Sequence, residues 1–163
     1  MDNKTEAKHI RLYVVRPTLK RLDMYSEWAE NLMVGTAAQE SNFRAFDQVT
    51  GPDDVTLGPG YGLYQIEANT FEDINRYLKT RPDIRIKVLS LLAPWPEDLH
   101  QLVGNLYYAT AIARIKFWMR PESLPTSLEG IAEYWKLWYN SIDGAGTPEQ
   151  FIENYKFYVG DEL

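Results

Sequence analysis

Gly35-Thr-Ala-Ala-Gln-Glu-Ser-Asn-Phe43 closes the stretch on which the fold turns. Up to and within it, Leu32, Met33, Thr36, Ala37 and Glu40 recur at intervals of three and four residues, with Trp28 one turn further back. That spacing predicts a helix over residues 26–40 with one apolar face. A carboxylate, Glu40, ends the apolar stripe. Burial disfavours a charged carboxylate, and the negative end of the helix dipole does the same. Both raise the pKa, which a general acid working near neutral pH requires. The plainer alternative is a glutamate fraying into water, the usual fate of charged residues at helix ends.

The next informative stretch is Gly58-Pro-Gly-Tyr-Gly-Leu-Tyr-Gln-Ile-Glu67. Gly58, Gly60 and Gly62 let the backbone come close to a ligand or another segment. Tyr61, Tyr64 and Gln65 supply flat rings and an amide, the mixture that stacks on sugar rings and pairs with hydroxyls and acetamides. The alternative is a glycine-rich hairpin carrying ordinary tyrosines. It is not a phosphate loop, because no Gly-Lys-Ser/Thr follows the glycines.

Outward from these two stretches the periodicity is helical. Short helices are expected over residues 71–78 and 84–92, and the longest over 98–119, where Leu99, Leu102, Val103, Leu106, Ala109, Ala113 and Phe117 share a face. Ser127 is placed to cap a helix over 128–139, and Thr147-Pro148-Glu149-Gln150 has the N-cap and first-turn proline of a last helix through Tyr158. Strand signals are weak. Residues 11–15 suit a short strand or a helix start, and residues 55–57 and 62–66 a small hairpin. The expected class is mostly α (α+β) with a small β element.

The chain has 163 residues, the length of one domain, and is 45% hydrophobic and 13% aromatic, which excludes a disordered chain. It has no cysteine, so disulfides and cysteine-based sites are excluded, and its two histidines, His9 and His100, are too few for most histidine metal sites. The 17 basic and 23 acidic side chains leave a net charge of −6, a poor match to nucleic acid. No apolar run approaches the length that spans a bilayer, and residues 12–15 are too short for a signal-peptide core. No nucleic-acid partner, no membrane insertion and no signal peptide are therefore expected.

Taken together, Glu40-Ser41 and Gly62-Leu63-Tyr64-Gln65-Ile66 resemble the motifs of the lytic transglycosylases and goose-type lysozymes. In that superfamily a Glu-Ser ends a helix and a Gly-Leu-Met-Gln-Ile stretch follows on a small β element. Asn105-Leu-Tyr-Tyr-Ala109 resembles its long helix, and Trp138-Tyr139-Asn140 followed by Gly144 and Gly146 resembles its Tyr-Asn-Ala-Gly motif. The layout looks closest to phage-encoded members. Two departures stand out: Tyr64 replaces the family's methionine, and Ser141-Ile142-Asp143 separates Asn140 from the glycines.

The resemblance implies a lysozyme-like muralytic domain over residues 25–163, preceded by an N-terminal extension, residues 1–24. It implies cleavage of the β-1,4 bond between N-acetylmuramic acid and N-acetylglucosamine in peptidoglycan, with Glu40 protonating the glycosidic oxygen. Ser41 and Gln65 would hold substrate or the glutamate, Tyr61, Tyr64 and Asn140 would line the sugar site, and Tyr139 would orient Glu40 or stabilise the transition state. A lytic transglycosylase needs one carboxylate and forms a 1,6-anhydro product. A hydrolase needs a second, roughly 5 Å away for retention or 6.5–9.5 Å for inversion. Asp47, Asp53 and Asp54 are candidates, although turn chemistry and solvation account for them better. Neither metal nor cofactor is implied. Expected partners are peptidoglycan glycan strands and other phage virion proteins, and the expected location is the virion or the host cytoplasm before release to the wall. The alternatives are a non-catalytic virion structural or assembly protein on the same fold and a wall-binding module.

Three further groups have ordinary explanations. The aromatic set Trp118, Tyr134, Trp135, Trp138 and Tyr139 is expected to be mostly core. Glu67, Glu72 and Asp73 fit a solvated face or a helix N-terminus. Lys79, Arg81, Arg85 and Lys87 form a basic patch best explained as a solvated helix face.

Overall fold

A computed structural model describes residues 3–44, 58–141 and 144–161 of the chain. Asp47, Asp53 and Asp54, and the strand expected over 55–57, lie outside these residues. The described part is 68% helix and 3% strand, so the class is mostly α with a small antiparallel β element.

The helices are α1 (Asn3–Ile10), α2 (Arg16–Arg21), α3 (Glu27–Ser41), α4 (Ala68–Lys79), α5 (Pro82–Leu89), α6 (Gln101–Gly104), α7 (Leu106–Trp118), α8 (Leu128–Trp135) and α9 (Pro148–Tyr158). Two wider π turns extend α-helices, Arg11–Val15 between α1 and α2, and Lys136–Asn140 after α8. Strands β1 (Gly60–Tyr61) and β2 (Ile66–Glu67) pair antiparallel, with Gly60 opposite Glu67 and Tyr61 opposite Ile66. The pairing therefore closes within the glycine-rich stretch itself, and Gly62–Tyr64 forms a tight 3-10 turn where strand was expected.

Helix α3 starts where the pattern placed it, because Ser26 accepts a hydrogen bond from the Ala29 amide. It is buried on every side from Ala29 to Ala38 rather than along one stripe. Gly35 explains how: a Cβ there would sit 2.4 Å from Phe151 Cζ, so glycine lets α9 press directly on α3. Thr147 and Gln150 form a reciprocal capping box that opens α9.

The helix expected over 98–119 is broken. Asn105 is extended (φ −109°, ψ 90°), and its side-chain oxygen caps α7 at the Tyr108 amide while its amide reaches Leu91 O and Gln101 Oε1. An asparagine satisfied this way competes with helix continuation. Residues 11–15, open between strand and helix in the sequence, are helical. The segment before α3 contributes to the common core: Val15 and Leu19 are fully buried, and Leu22 and Met24 belong to the same hydrophobic cluster. Two arginines from this segment, Arg11 and Arg16, clasp Glu30 of α3 at 2.8 and 2.7 Å.

No helix among the described residues is long and apolar enough to cross a membrane.

Candidate functional site

Three pieces converge at the C-terminal end of α3. The first is the helix end itself, where Asn42 turns left-handed (φ 50°) and terminates the helix one residue after Ser41. The second is the 62–65 turn. Ser41 Oγ donates to Leu63 O at 2.8 Å and so latches the helix end to that turn. Gly62 holds the turn in place, since its φ of +68° suits glycine and a Cβ would lie 1.9 Å from Leu102 O. The third is the end of α8 and its π turn, which brings Trp135 and Tyr139 to the same place.

Glu40 is half-buried. Its Oε1 accepts a hydrogen bond from Trp135 Nε1 at 2.9 Å, and Trp135 is fully buried. Burial pushes the carboxyl pKa up to about 7, against the opposing pulls of the Trp135 N–H and of the Lys116 charge. Desolvation wins because the one direct donor is a neutral indole, and the cation acts only through space. A carboxyl in this position is protonated for a large part of the time at neutral pH.

Tyr139 is buried, and its hydroxyl donates to Tyr64 O at 2.6 Å. Burial raises its pKa well above the phenol range, and the charge of Glu40 raises it further. It remains a neutral hydroxyl whose proton is committed to the 62–65 turn. Lys116 of α7 lies against it, with Nζ 3.6 Å from the ring centroid and donating to Tyr139 O at 2.8 Å. Burial lowers the Lys116 pKa to about 8, Glu40 and Glu67 raise it, and Arg120 lowers it. The lysine is still a cation at neutral pH.

The remaining expected residues are distributed unevenly. Gln65 is half-buried, adopts a left-handed backbone (φ 48°), and donates from Nε2 to Gly62 O at 2.7 Å, so it braces its own turn. Tyr64 points away from any cleft: its side chain is fully buried and its hydroxyl meets Thr110 Oγ1 at 3.1 Å. Its part in the site is its carbonyl, which accepts from Tyr139. Its ring fills the core beneath the turn. Tyr61 is half-exposed on β1. Asn140 is bound to Lys136 Nζ at 3.3 Å and packs under the 144–146 turn, while Gly146 abuts Trp135. The structure thus joins Glu40, Ser41, the backbone of 62–65 and Tyr139 around one corner. It leaves the rings of Tyr61 and Tyr64 and the Asn140 amide without a described contact to Glu40.

Two participants were not singled out from the sequence. Trp135 was grouped with the core aromatics, and nothing local marks a partner 95 positions away. Lys116 carried a usable signal, because it falls three and seven residues after Ala113 and Ala109 of the apolar face. A cation on a buried stripe is rare enough to flag.

Among the described residues no group of His, Cys, Asp or Glu is arranged to hold a metal ion. No protein-family model, curated protein or solved structure matches this chain.

Proposed function

We propose that the protein is a peptidoglycan-degrading glycosidase in which Glu40 is the general acid, working on the β-1,4 bond between N-acetylmuramic acid and N-acetylglucosamine. The observation that carries this is a single carboxyl, half-buried and pushed up to about 7, held by one neutral donor at a helix end latched to a glycine-rich turn. An ordinary structural glutamate has no need of that arrangement. The order of the Glu-Ser, Gly-Leu-x-Gln-Ile and Tyr-Asn motifs adds to it through the resemblance to lytic transglycosylases and goose-type lysozymes.

The single-carboxylate route needs no carboxyl beyond Glu40. With Oε1 occupied by the Trp135 N–H, the acidic proton sits on Oε2, the oxygen free to reach a glycosidic oxygen. Proton transfer releases the leaving sugar and leaves a carboxylate that Trp135 and Lys116 stabilise. That carboxylate then takes the proton from the muramyl 6-hydroxyl as its oxygen closes on C1, which gives the 1,6-anhydro sugar and restores the acid. A phage role, in a virion or in host lysis, is part of the same proposal and follows from the resemblance alone.

Mass spectrometry of digested peptidoglycan tests it. The expected products carry 1,6-anhydro-muramyl ends, and Glu40→Gln is expected to reduce their formation by about 10²–10⁴-fold while the fold is retained. Reducing muramyl ends would replace the transglycosylase with a hydrolase. Undiminished cleavage by the variant would remove Glu40 from the chemistry altogether.

A further inference from the structure

Beside the Glu40 corner, between α4 and the C-terminal half of α7, lies a cavity of about 550 Å³ whose walls include Thr70, Asp73, Tyr77, Thr80, Lys116 and Arg120. Its charge is unbalanced. Asp73 is already bound to Arg76 at 2.8 Å, and both of those side chains are largely exposed. Lys116 and Arg120 take part in no ion pair among the described residues. Lys116 donates only to a neutral carbonyl, that of Tyr139. Arg120 lies over the Trp138 ring, 5.0 Å from its centroid, and its Nε is buried without a hydrogen-bond partner.

Half-buried cations with unused donors carry a desolvation cost that an incoming anion offsets. Lys116 lies in the last turn of α7 and Arg120 just past the helix end, and both line this cavity. The nearby acids do not neutralise them: Glu40 and Glu67 act on Lys116 only through space. The same Lys116 faces Glu40, so the cationic wall adjoins the corner where a glycosidic bond would be broken.

We propose that this cavity is a carboxylate-binding subsite, in which Lys116 and Arg120 receive the acidic groups of a peptide-substituted muramyl sugar whose glycan lies toward Glu40. The sugar half of this assignment rests on the glycosidase reading; the carboxylate half rests on the cavity. Bidentate binding suits the Arg120 fork, and Lys116 supplies a point charge. The subsite selects acidic, peptide-bearing glycan over neutral chitin-like chains.

Calorimetric titration with N-acetylmuramyl-L-alanyl-D-isoglutamine tests it without reference to catalysis. The acidic probe is expected to bind with an affinity that falls as salt is raised. Its carboxyl-amidated form, N-acetylglucosamine and acetate are each expected to bind at least tenfold more weakly. Arg120→Gln should weaken the acidic probe about tenfold, and Arg120→Lys, which keeps the charge but loses the fork, should recover only part of that loss, with melting curves confirming both folds. Equal binding of the acidic and amidated probes to the wild-type protein would overturn the subsite with no variant needed, as would unchanged binding by Arg120→Gln. Acetate binding as tightly as the acidic probe would overturn the muramyl-peptide assignment. Probe binding as expected with no cleavage of peptidoglycan would leave the subsite standing and remove the glycosidase. Cleavage at the same kcat/KM on peptide-stripped and intact glycan would do the reverse.

Discussion

Glu30 and Glu40 stand ten residues apart on helix α3, and their surroundings give them opposite chemistry. Glu30 is 2% exposed, and its carboxylate is gripped by the forks of Arg11 and Arg16. Burial alone would raise its pKa, but the bonds from Arg16 and Arg11 outweigh burial and hold it below the usual carboxylate range. Glu40 is more exposed, yet its pKa moves up to about 7, because its one direct partner is a neutral N–H. Burial acts on both. Desolvation dominates at Glu40, whereas at Glu30 cations in direct contact oppose it. Glu30 is thereby a structural anion that ties the N-terminal helices to α3, and Glu40 a carboxyl that holds its proton to higher pH.

The largest expected effect is at Glu30. Glu30→Gln leaves two arginines facing a neutral amide, and breaking a buried pair from one side costs about 3 kcal/mol, at the low end because Arg16 is partly exposed. Urea denaturation at pH 7 should show that loss. In the wild-type protein the depressed pKa makes this stabilisation present above the ordinary carboxylate range and lost as pH falls through Glu30's own titration. A variant as stable as wild type would mean that the Arg–Glu–Arg cluster is decorative.

The second test reverses the sign. The raised pKa of Glu40 means that its contribution to stability is complete below about pH 4.5 and lost as pH rises through about 7. Glu40→Gln cannot ionise, and its Oε1 still accepts from Trp135. At pH 8 the variant should be the more stable protein, by up to about 3 kcal/mol, and the difference should close by pH 4.5. Thermal melts of both proteins across this range check it. A variant less stable at pH 8 would mean that Glu40 is a charged structural group like Glu30.

The smallest expected effect sharpens the role of Trp135. Its N–H lowers the Glu40 pKa, so Trp135→Phe should move the alkaline limb of the pH–activity profile upward by a fraction of a unit to one unit. Loss of stability from repacking the ring would not by itself shift that limb. A downward shift would show that the indole acts by some means other than its hydrogen bond.

Parts of this contrast were legible in the sequence. The apolar spacing from Leu32 to Ala37 placed Glu40 on the buried side of a helix end, and Ser26 and Thr147 marked two helix starts because capping is local chemistry. The break at Asn105 was not legible, since an unbroken apolar face hides a residue whose side chain finds partners on Leu91 and Gln101. Nor was the inward turn of Tyr64, which depends on Thr110 lying across the core. The glycine-rich stretch was recognised as the place of close backbone approach, but its contribution to the corner is mainly carbonyls and not rings. Nothing near Arg11 and Arg16 in the sequence marks Glu30 of α3 as their partner. In each case the deciding partner is far along the chain, and periodicity reports only on neighbours one or two turns away.

The most direct test is an NMR titration of the Glu40 side-chain carboxyl carbon, assigned by comparison with Glu40→Gln. A midpoint near 7 is expected for Glu40, with Glu30 titrating below the ordinary carboxylate range. A midpoint for Glu40 near 4.5 would mean a carboxylate already ionised at neutral pH, and no general acid at this corner.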